Sequence, residues 1–444
     1  MLVDFTIKNY RSFKSESLFS MVAEKKKEDI SNNLFNISED SDISLLKTAV
    51  VYGANASGKS NLLLAFDTLK NFILNSTDLK LDQEIPYYKP FLLDVETRNQ
   101  PMLFEIEFVT AEPMRYRYSV EFDKTQIISE KLIFFPEKNG RNLFERNGVN
   151  GKYIWGRDLK GKKESLTGEV LKNVLFLSKA ANNNESDERL RAIYRYFRTN
   201  FMIHTAIDSS KALFYYTTTK LSKEKEEKYK DSILEFLKSA DTGISSIKTK
   251  HKTDKPFEFV LTENMTQEEI KEVLKKKVLN DISTKVDLGH KVYSHQNETG
   301  DDHFFQLQDE SAGTIKMFDL AGKIIDTLRN GNVLIVDELD SSFHPLMSEY
   351  ILSIFNDPVK NPKNAQLIVA THDAYLLDSQ KLRRDQIWFV EKDKYGASNL
   401  YSLDEFEKSE VRKNVPFDRW YLSGRFGALP LIDKKLFSAV EEKE

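Results

Sequence analysis

The chain has 444 residues, of which 40% are hydrophobic and 30% charged, and a formal net charge of −4. Such a length predicts about two or three domains, and the charge balance gives no overall pull toward nucleic acid. The lack of cysteine excludes disulfides and thiolate metal sites, no apolar run is long enough to span a bilayer, and Met1-Leu2-Val3-Asp4-Phe5 lacks a signal-peptide layout, so a cytoplasmic protein without a membrane partner is expected.

In chain order, residues 1–75 read as a strand, a second strand and a helix that opens on a phosphate loop. Gly53-Ala54-Asn55-Ala56-Ser57-Gly58-Lys59-Ser60 is a complete G-x-x-x-x-G-K-S sequence. Before it, Ala49-Val50-Val51-Tyr52 reads as a buried strand. After it, Asn61 is followed by Leu62, Phe66, Leu69 and Phe72 or Ile73 at helical spacing. A strand, a glycine-rich turn and a helix N-terminus point backbone N–H groups and the helix dipole at an anion. Gly53, Asn55, Ser57, Gly58, Lys59, Ser60 and Asn61 are therefore candidate ATP contacts. Lys59 would reach the β- and γ-phosphates, and Ser60 would offer its hydroxyl to Mg²⁺.

Residues 76–100 form a mixed connector. Phe104–Phe108 and Tyr116–Phe122 alternate with period two, which predicts antiparallel strands about a turn near Glu112-Pro113. Asn139-Gly140, Asn147-Gly148 and Asn150-Gly151 mark further hairpin turns. This N-terminal lobe is expected to span 1–160.

A mostly helical insertion is expected over 161–295. It contains the solvated run Lys223–Lys230, the lysines Lys275-Lys276-Lys277, and a capping box, Thr266–Glu269, ahead of Ile270, Val273, Leu274 and Val278. Arg191, Arg195 and Arg198 interleave with Tyr194, Tyr196 and Phe197. A solvated face beside a buried aromatic side is the expectation there, and a nucleic-acid surface is the alternative. His290, His295 and His303 show no metal-ligand spacing, and no second cluster of acids suggests a nuclease site.

A C-terminal lobe is expected over 296–444. Glu310-Ser311-Ala312-Gly313-Thr314 opens a helix with Ile315, Phe318, Ala321, Ile325 and Leu328 on one side. Ser311 can cap it, and Gly313 allows a phosphate to approach the backbone. Val333–Val336 is a buried strand ending in Asp337 and Glu338, and Gln366–Ala370 is another, followed by Thr371 and His372. Strand ends of a parallel sheet carry the chemistry. Asp337 is placed to hold Mg²⁺, Glu338 to activate the attacking water, and His372 to meet the γ-phosphate or that water.

The order of phosphate loop, insertion, Ser-Ala-Gly-Thr helix, Asp-Glu strand, Leu339-Asp340-Ser341-Ser342 turn and His372 resembles the ATP-binding-cassette ATPases. The likeness is greatest to the soluble branch with the SMC proteins, the OLD nucleases and the abortive-infection ATPases. Phe5–Phe13, with its Asn9-Tyr10-Arg11-Ser12-Phe13 phrase, matches the first strand of that branch. Tyr421–Pro430 resembles the C-terminal phrase of the RloA-like and AriA-like phage-defence ATPases. The resemblance implies an α/β fold: an ABC-type P-loop ATPase head with an antiparallel β subdomain and a largely helical insertion. It also implies a homodimer closed as an ATP sandwich, in which Ser311 and Gly313 of one copy complete the site of the other. Asp340 and Ser341 would lie in the turn at that interface, and Arg11 and Ser12 would line the nucleotide.

Two features depart from the branch. Ser-Ala-Gly-Thr stands where Leu-Ser-Gly-Gly-Gln is usual, and the glutamine that touches Mg²⁺ is left among Gln83, Gln100 and Gln126. The function implied is that of a Mg²⁺-dependent ATPase serving as sensor or regulatory subunit of a phage-defence system, controlling a separate, nuclease-like effector. The alternative is a DNA-maintenance ATPase of the SMC or recombination type, although sustained heptads for a coiled-coil arm are absent. Assembly above the dimer and contact with nucleic acid stay open.

Overall fold

The phosphate-loop strand, Thr48–Tyr52, is buried at every position, as a strand covered on both faces requires. The computed structural model describes residues 1–24, 30–38, 42–110, 112–205, 210–221, 227–251, 284–407 and 415–430. The chain divides into two compact units. One comprises Met1–Ala206, Thr327–Ser341 and Ser348–Glu444; the other comprises Ile207–Asp326 and Ser342–Met347.

The first unit holds two large sheets. Thr48–Tyr52 lies inside a six-stranded sheet ordered Phe201–His204, Val333–Val336, Gln366–Ala370, Thr48–Tyr52, Ile387–Lys392, Ser398–Ser402. The first five strands run parallel and the last is antiparallel. The register places Ile335 opposite Ile368 and Ile368 opposite Ala49, so the runs that look alike in sequence sit side by side. Parallel order brings the ends of Val333–Val336, Gln366–Ala370 and Thr48–Tyr52 to one edge.

The second sheet is antiparallel and seven-stranded: Lys152–Trp155, Arg141–Asn147, Ile127–Phe135, Arg115–Phe122, Met102–Val109, Leu2–Lys8, Ser17–Ser20. Arg115–Phe122 alternates strictly between half-buried and buried residues, the period-two pattern of a sheet with one face on a core. The helix Lys59–Asn75 buries Leu62, Leu63, Phe66, Leu69, Phe72 and Ile73. Phe66 stacks on Phe5 of the antiparallel sheet at 4.0 Å and lies 5.8 Å from Phe201 of the parallel one. The helix is thus the common filling of both sheets, and the phosphate loop at its start is anchored by all three layers.

The segment expected to open the insertion at 161 instead belongs to the first unit. Phe176 packs on Phe144 at 4.8 Å and Phe197 on Phe108 at 5.1 Å. The buried Glu130 carboxylate accepts from the backbone N–H groups of Phe176 and Leu177 at 2.7 and 2.9 Å and from the Tyr118 hydroxyl at 3.0 Å. Phe201–His204, not foreseen as a strand, is the edge of the parallel sheet. Arg191 and Arg195 both pair with Glu188, while Tyr196 and Phe197 are buried. This matches the expected solvated face beside an aromatic interior.

The second unit is of mixed composition. Helices Ser210–Leu221 and Glu227–Lys238 accompany most of Ala312–Asn330 and a three-stranded antiparallel sheet of Ile244–His251, Thr284–Ser294 and Asn297–Gln306. The capping box at Thr266–Glu269, the helix expected after it and Lys275–Lys277 lie outside the described residues, as does the first part of Lys223–Lys230.

Candidate nucleotide site

The phosphate loop turns on backbone conformations that side chains resist. Gly58 has φ +122, and a Cβ there would stand 2.3 Å from the Ser398 hydroxyl and 2.8 Å from the Ser12 hydroxyl. A Cβ on Gly53 would stand 2.3 Å from the Val390 carbonyl oxygen. Both glycines are dictated by close approach of neighbouring strands. Lys59 is buried, and its Nζ donates to the Gly53 and Ala54 carbonyls at 2.8 and 3.1 Å. The ammonium is thereby folded over the loop it belongs to. Burial lowers its pKa from 10.5 to about 8, against the pull of Asp337, Asp340 and Glu338.

These three acids follow the strand Val333–Val336. The Asp337 backbone N–H donates to the His204 carbonyl at 2.9 Å. Asp337 is buried, and its Oδ1 has no hydrogen-bond partner among the described residues. Glu338 is exposed and sits at φ +52, a left-handed conformation unusual for a side chain of its size. The turn is held by the Ser341 N–H on the Glu338 carbonyl at 3.1 Å and the Leu339 N–H on the Ala370 carbonyl at 3.2 Å. Asp340 Oδ2 accepts from the His372 backbone N–H at 3.3 Å. The acid turn and the histidine turn are therefore joined twice.

His372 follows Gln366–Ala370, whose neighbour on the other side is the phosphate-loop strand. The Thr371 N–H donates to the Val51 carbonyl at 3.1 Å, and the Tyr52 hydroxyl to the Asp373 carbonyl at 3.2 Å. Burial and then the Lys59 charge lower the His372 pKa below 6.5, so its imidazole is neutral at pH 7. The Leu339–Ala370, His372–Asp340 and Thr371–Val51 hydrogen bonds bring the acid turn, His372 and the phosphate-loop strand to one edge.

Arg11 and Ser12 lie beside this centre. Asn61 Nδ2 donates to Ser12 Oγ at 2.8 Å. Arg11 is exposed at φ +48, with its Nε donating to the Tyr10 hydroxyl at 3.1 Å. Arg11, Ser12 and Asn61 share a cavity of about 620 Å³ with Leu93, Lys392 and Gly396. Ser57 Oγ is buried without a partner among the described residues.

Ser311 and Gly313 belong to the second unit. Ser311 Oγ accepts from the Thr314 N–H at 3.1 Å, capping Ala312–Asn330 as expected. Gln83 and Gln126 bond within their own turns. Tyr421 and Phe426 of the C-terminal phrase pack on Phe389 of the parallel sheet at 5.6 and 5.7 Å. Two residues escaped the sequence reading. Ser398, whose hydroxyl donates to the Ser57 carbonyl, carries no motif. Asp340 was read only as an interface residue, and its Oδ1 is a further buried oxygen without a partner among the described residues.

Among known proteins, a family model described as "AAA domain, putative AbiEii toxin, Type IV TA system" matches residues 49–378. No curated protein matches the chain at the sequence level. Among solved structures, the SMC head domain from Thermotoga maritima is similar, at 12% identity and a TM-score of 0.39 over 90% of this chain and 98% of that one. The recombination mediator RecF with ATP is similar at 13% identity and a TM-score of 0.36, over 90% and 97%. The Pyrococcus furiosus Smc head with an extended coiled coil, bound to the C-terminal domain of ScpA, is similar at 11% and 0.33, over 90% and 96%.

Proposed function

The chain belongs to the AAA-domain family described as putative AbiEii toxin of a type IV TA system, and on that premise we propose that it binds ATP and hydrolyses it with Mg²⁺. The observation that carries this reading is the gathering of Lys59, Asp337, Glu338 and His372 at the ends of three adjacent parallel strands.

The N–H groups of the loop from Gly53 to Ser60 and the Lys59 ammonium hold the β- and γ-phosphates. The Lys59 ammonium lies on the Gly53 and Ala54 carbonyls, within reach of the phosphates held by the same loop. Ser60 and Asp337 would hold Mg²⁺. The buried Asp337 Oδ1 without a partner fits a hard cation that takes oxygen ligands, and the metal would neutralise charge on the phosphates. Glu338 accepts a proton from water as the water oxygen bonds to the γ-phosphorus. The bond to the β–γ bridging oxygen breaks, and ADP leaves with that electron pair. The neutral His372 ring donates a hydrogen bond to the γ-phosphate. Asn55, Ser57, Gly58, Asn61 and Arg11 line the nucleotide.

Ser311 and Gly313 act across a head-to-head homodimer, presenting the start of a helix whose first N–H groups need an acceptor. In the cell, the protein is the sensor or regulatory subunit of an abortive-infection system and acts on a separate effector. What supports a two-component setting is the family description, a putative AbiEii toxin of a type IV TA system; the regulatory role rests on the sequence resemblance. Glu338→Gln should lower kcat by about 10²- to 10⁴-fold while keeping ATP bound. The reading fails if the purified protein binds no ATP, or if Glu338→Gln hydrolyses as fast as the wild type. Co-purification with the same variant should recover the effector.

A further inference from the structure

The phosphate loop is braced from behind by a hairpin that lies beyond the family-matched residues, which end at 378. Its strands, Ile387–Lys392 and Ser398–Ser402, pair antiparallel, and the first runs parallel to Thr48–Tyr52. Ser398 is buried at the start of the second strand. Its N–H donates to the Ser12 carbonyl at 2.7 Å, and its hydroxyl donates to the Ser57 carbonyl. Ser12 Oγ in turn accepts from Asn61, on the first turn of the phosphate-loop helix. Segments from the two ends of the chain thus close a ring around Gly58, whose absent Cβ leaves room for both hydroxyls.

A phosphate loop must aim N–H groups at the anion, and at the Ser57–Gly58 peptide the carbonyl faces the opposite way, into the protein. A buried carbonyl facing the protein needs a donor there. The Ser57 carbonyl belongs to the peptide whose N–H is that of Gly58, so fixing the oxygen also fixes where that N–H points. We propose that Ser398 is a positioning residue for nucleotide binding: its hydroxyl sets the Ser57–Gly58 peptide in the orientation that presents the Gly58 N–H to phosphate. This rests on the reading of the loop as the ATP site. The loop grips phosphate alike in the ground and transition states, so its misalignment appears in KM and not in kcat.

The test is steady-state hydrolysis of ATP together with calorimetric titration of ADP, on wild type, Ser398→Ala and Ser398→Cys. Ser398→Ala should raise KM for ATP and Kd for ADP about five- to tenfold, the loss of one buried hydrogen bond, with kcat within about twofold of wild type. Ser398→Cys keeps a donor at the same position, though a larger and weaker one, and should fall between the two. ADP binding at wild-type strength in both variants overturns the proposal. So does a fall in kcat that tracks a lowered melting temperature with KM unchanged, since that marks Ser398 as structural only. If the wild type itself binds neither ATP nor ADP, the nucleotide reading falls and takes this proposal with it.

Discussion

Raising the pH through 8 should loosen ATP without touching its own ionisation. Lys59 has its pKa lowered to about 8 by burial, so in the free protein about nine-tenths of the molecules carry the ammonium at pH 7 and about one-tenth at pH 9. If only the charged form takes the phosphates, the apparent Kd scales inversely with that fraction and rises about tenfold between pH 7 and pH 9. The bound phosphates restore the charge, so binding at pH 9 should draw in close to one proton. The same lowered pKa leaves the folded chain with fewer bound protons than the unfolded chain between about 8 and 10.5. Lys59 therefore adds stability as pH rises through that window while binding weakens. Isothermal titration in two buffers of different ionisation enthalpy measures both Kd and proton uptake. Lys59→Arg, which stays charged, should abolish the pH dependence in this range. A Kd that is flat from pH 7 to pH 9 in the wild type would refute the assignment of Lys59 as a buried, part-neutral phosphate ligand.

Gly58→Ala forces a Cβ to 2.3 Å from Ser398 Oγ and places alanine at φ +122; backbone strain alone costs about 1–3 kcal/mol, and nucleotide affinity measured by titration should fall at least about tenfold. Mixing Lys59→Ala with Ser311→Arg should restore ATP hydrolysis that each lacks alone, because one of the two sites in the mixed dimer then has an intact phosphate loop and an intact signature; additive inactivity would refute the ATP sandwich. Glu130→Ala removes the acceptor for the Phe176 and Leu177 N–H groups and the partner of Arg146 at 3.7 Å. Its cost, seen in chemical denaturation, should be about 3–5 kcal/mol.

The chemistry-bearing strands were legible because each is a short apolar run that ends in polar residues, and the parallel sheet converts that shared ending into shared location. Val333–Val336 and Gln366–Ala370 needed no tertiary information to be found. The helix start at Ser311 was legible for a different reason, since capping is local. What could not be read is what depends on distant pairing. Phe201–His204 has only four residues and follows an arginine-rich helix, so nothing local separates it from that helix. Ile387–Lys392 and Ser398–Ser402 bear no reactive ending. Glu130 is a charged residue inside a strand whose inward direction makes sense only once Phe176 is placed against it. The limit of the insertion was misplaced for the same reason: residues 165–240 look mostly helical in sequence, but the aromatic core of the first unit claims their first part, to Phe201.

The contact between Ser398 and Ser57 spans 341 residues, which has a bearing on synthesis. At about 5–20 residues per second, a ribosome takes roughly 20–70 s to pass from one to the other. For most of that interval the emerging chain already contains its phosphate loop but not the flanking strands Gln366–Ala370 and Ile387–Lys392, and until its end it lacks the serine that fixes the Ser57–Gly58 peptide. A nascent or prematurely ended chain therefore has the loop without the grip. Competence to engage ATP waits for Ser398 to be made, so a copy cut short before it would be silent rather than wrongly active.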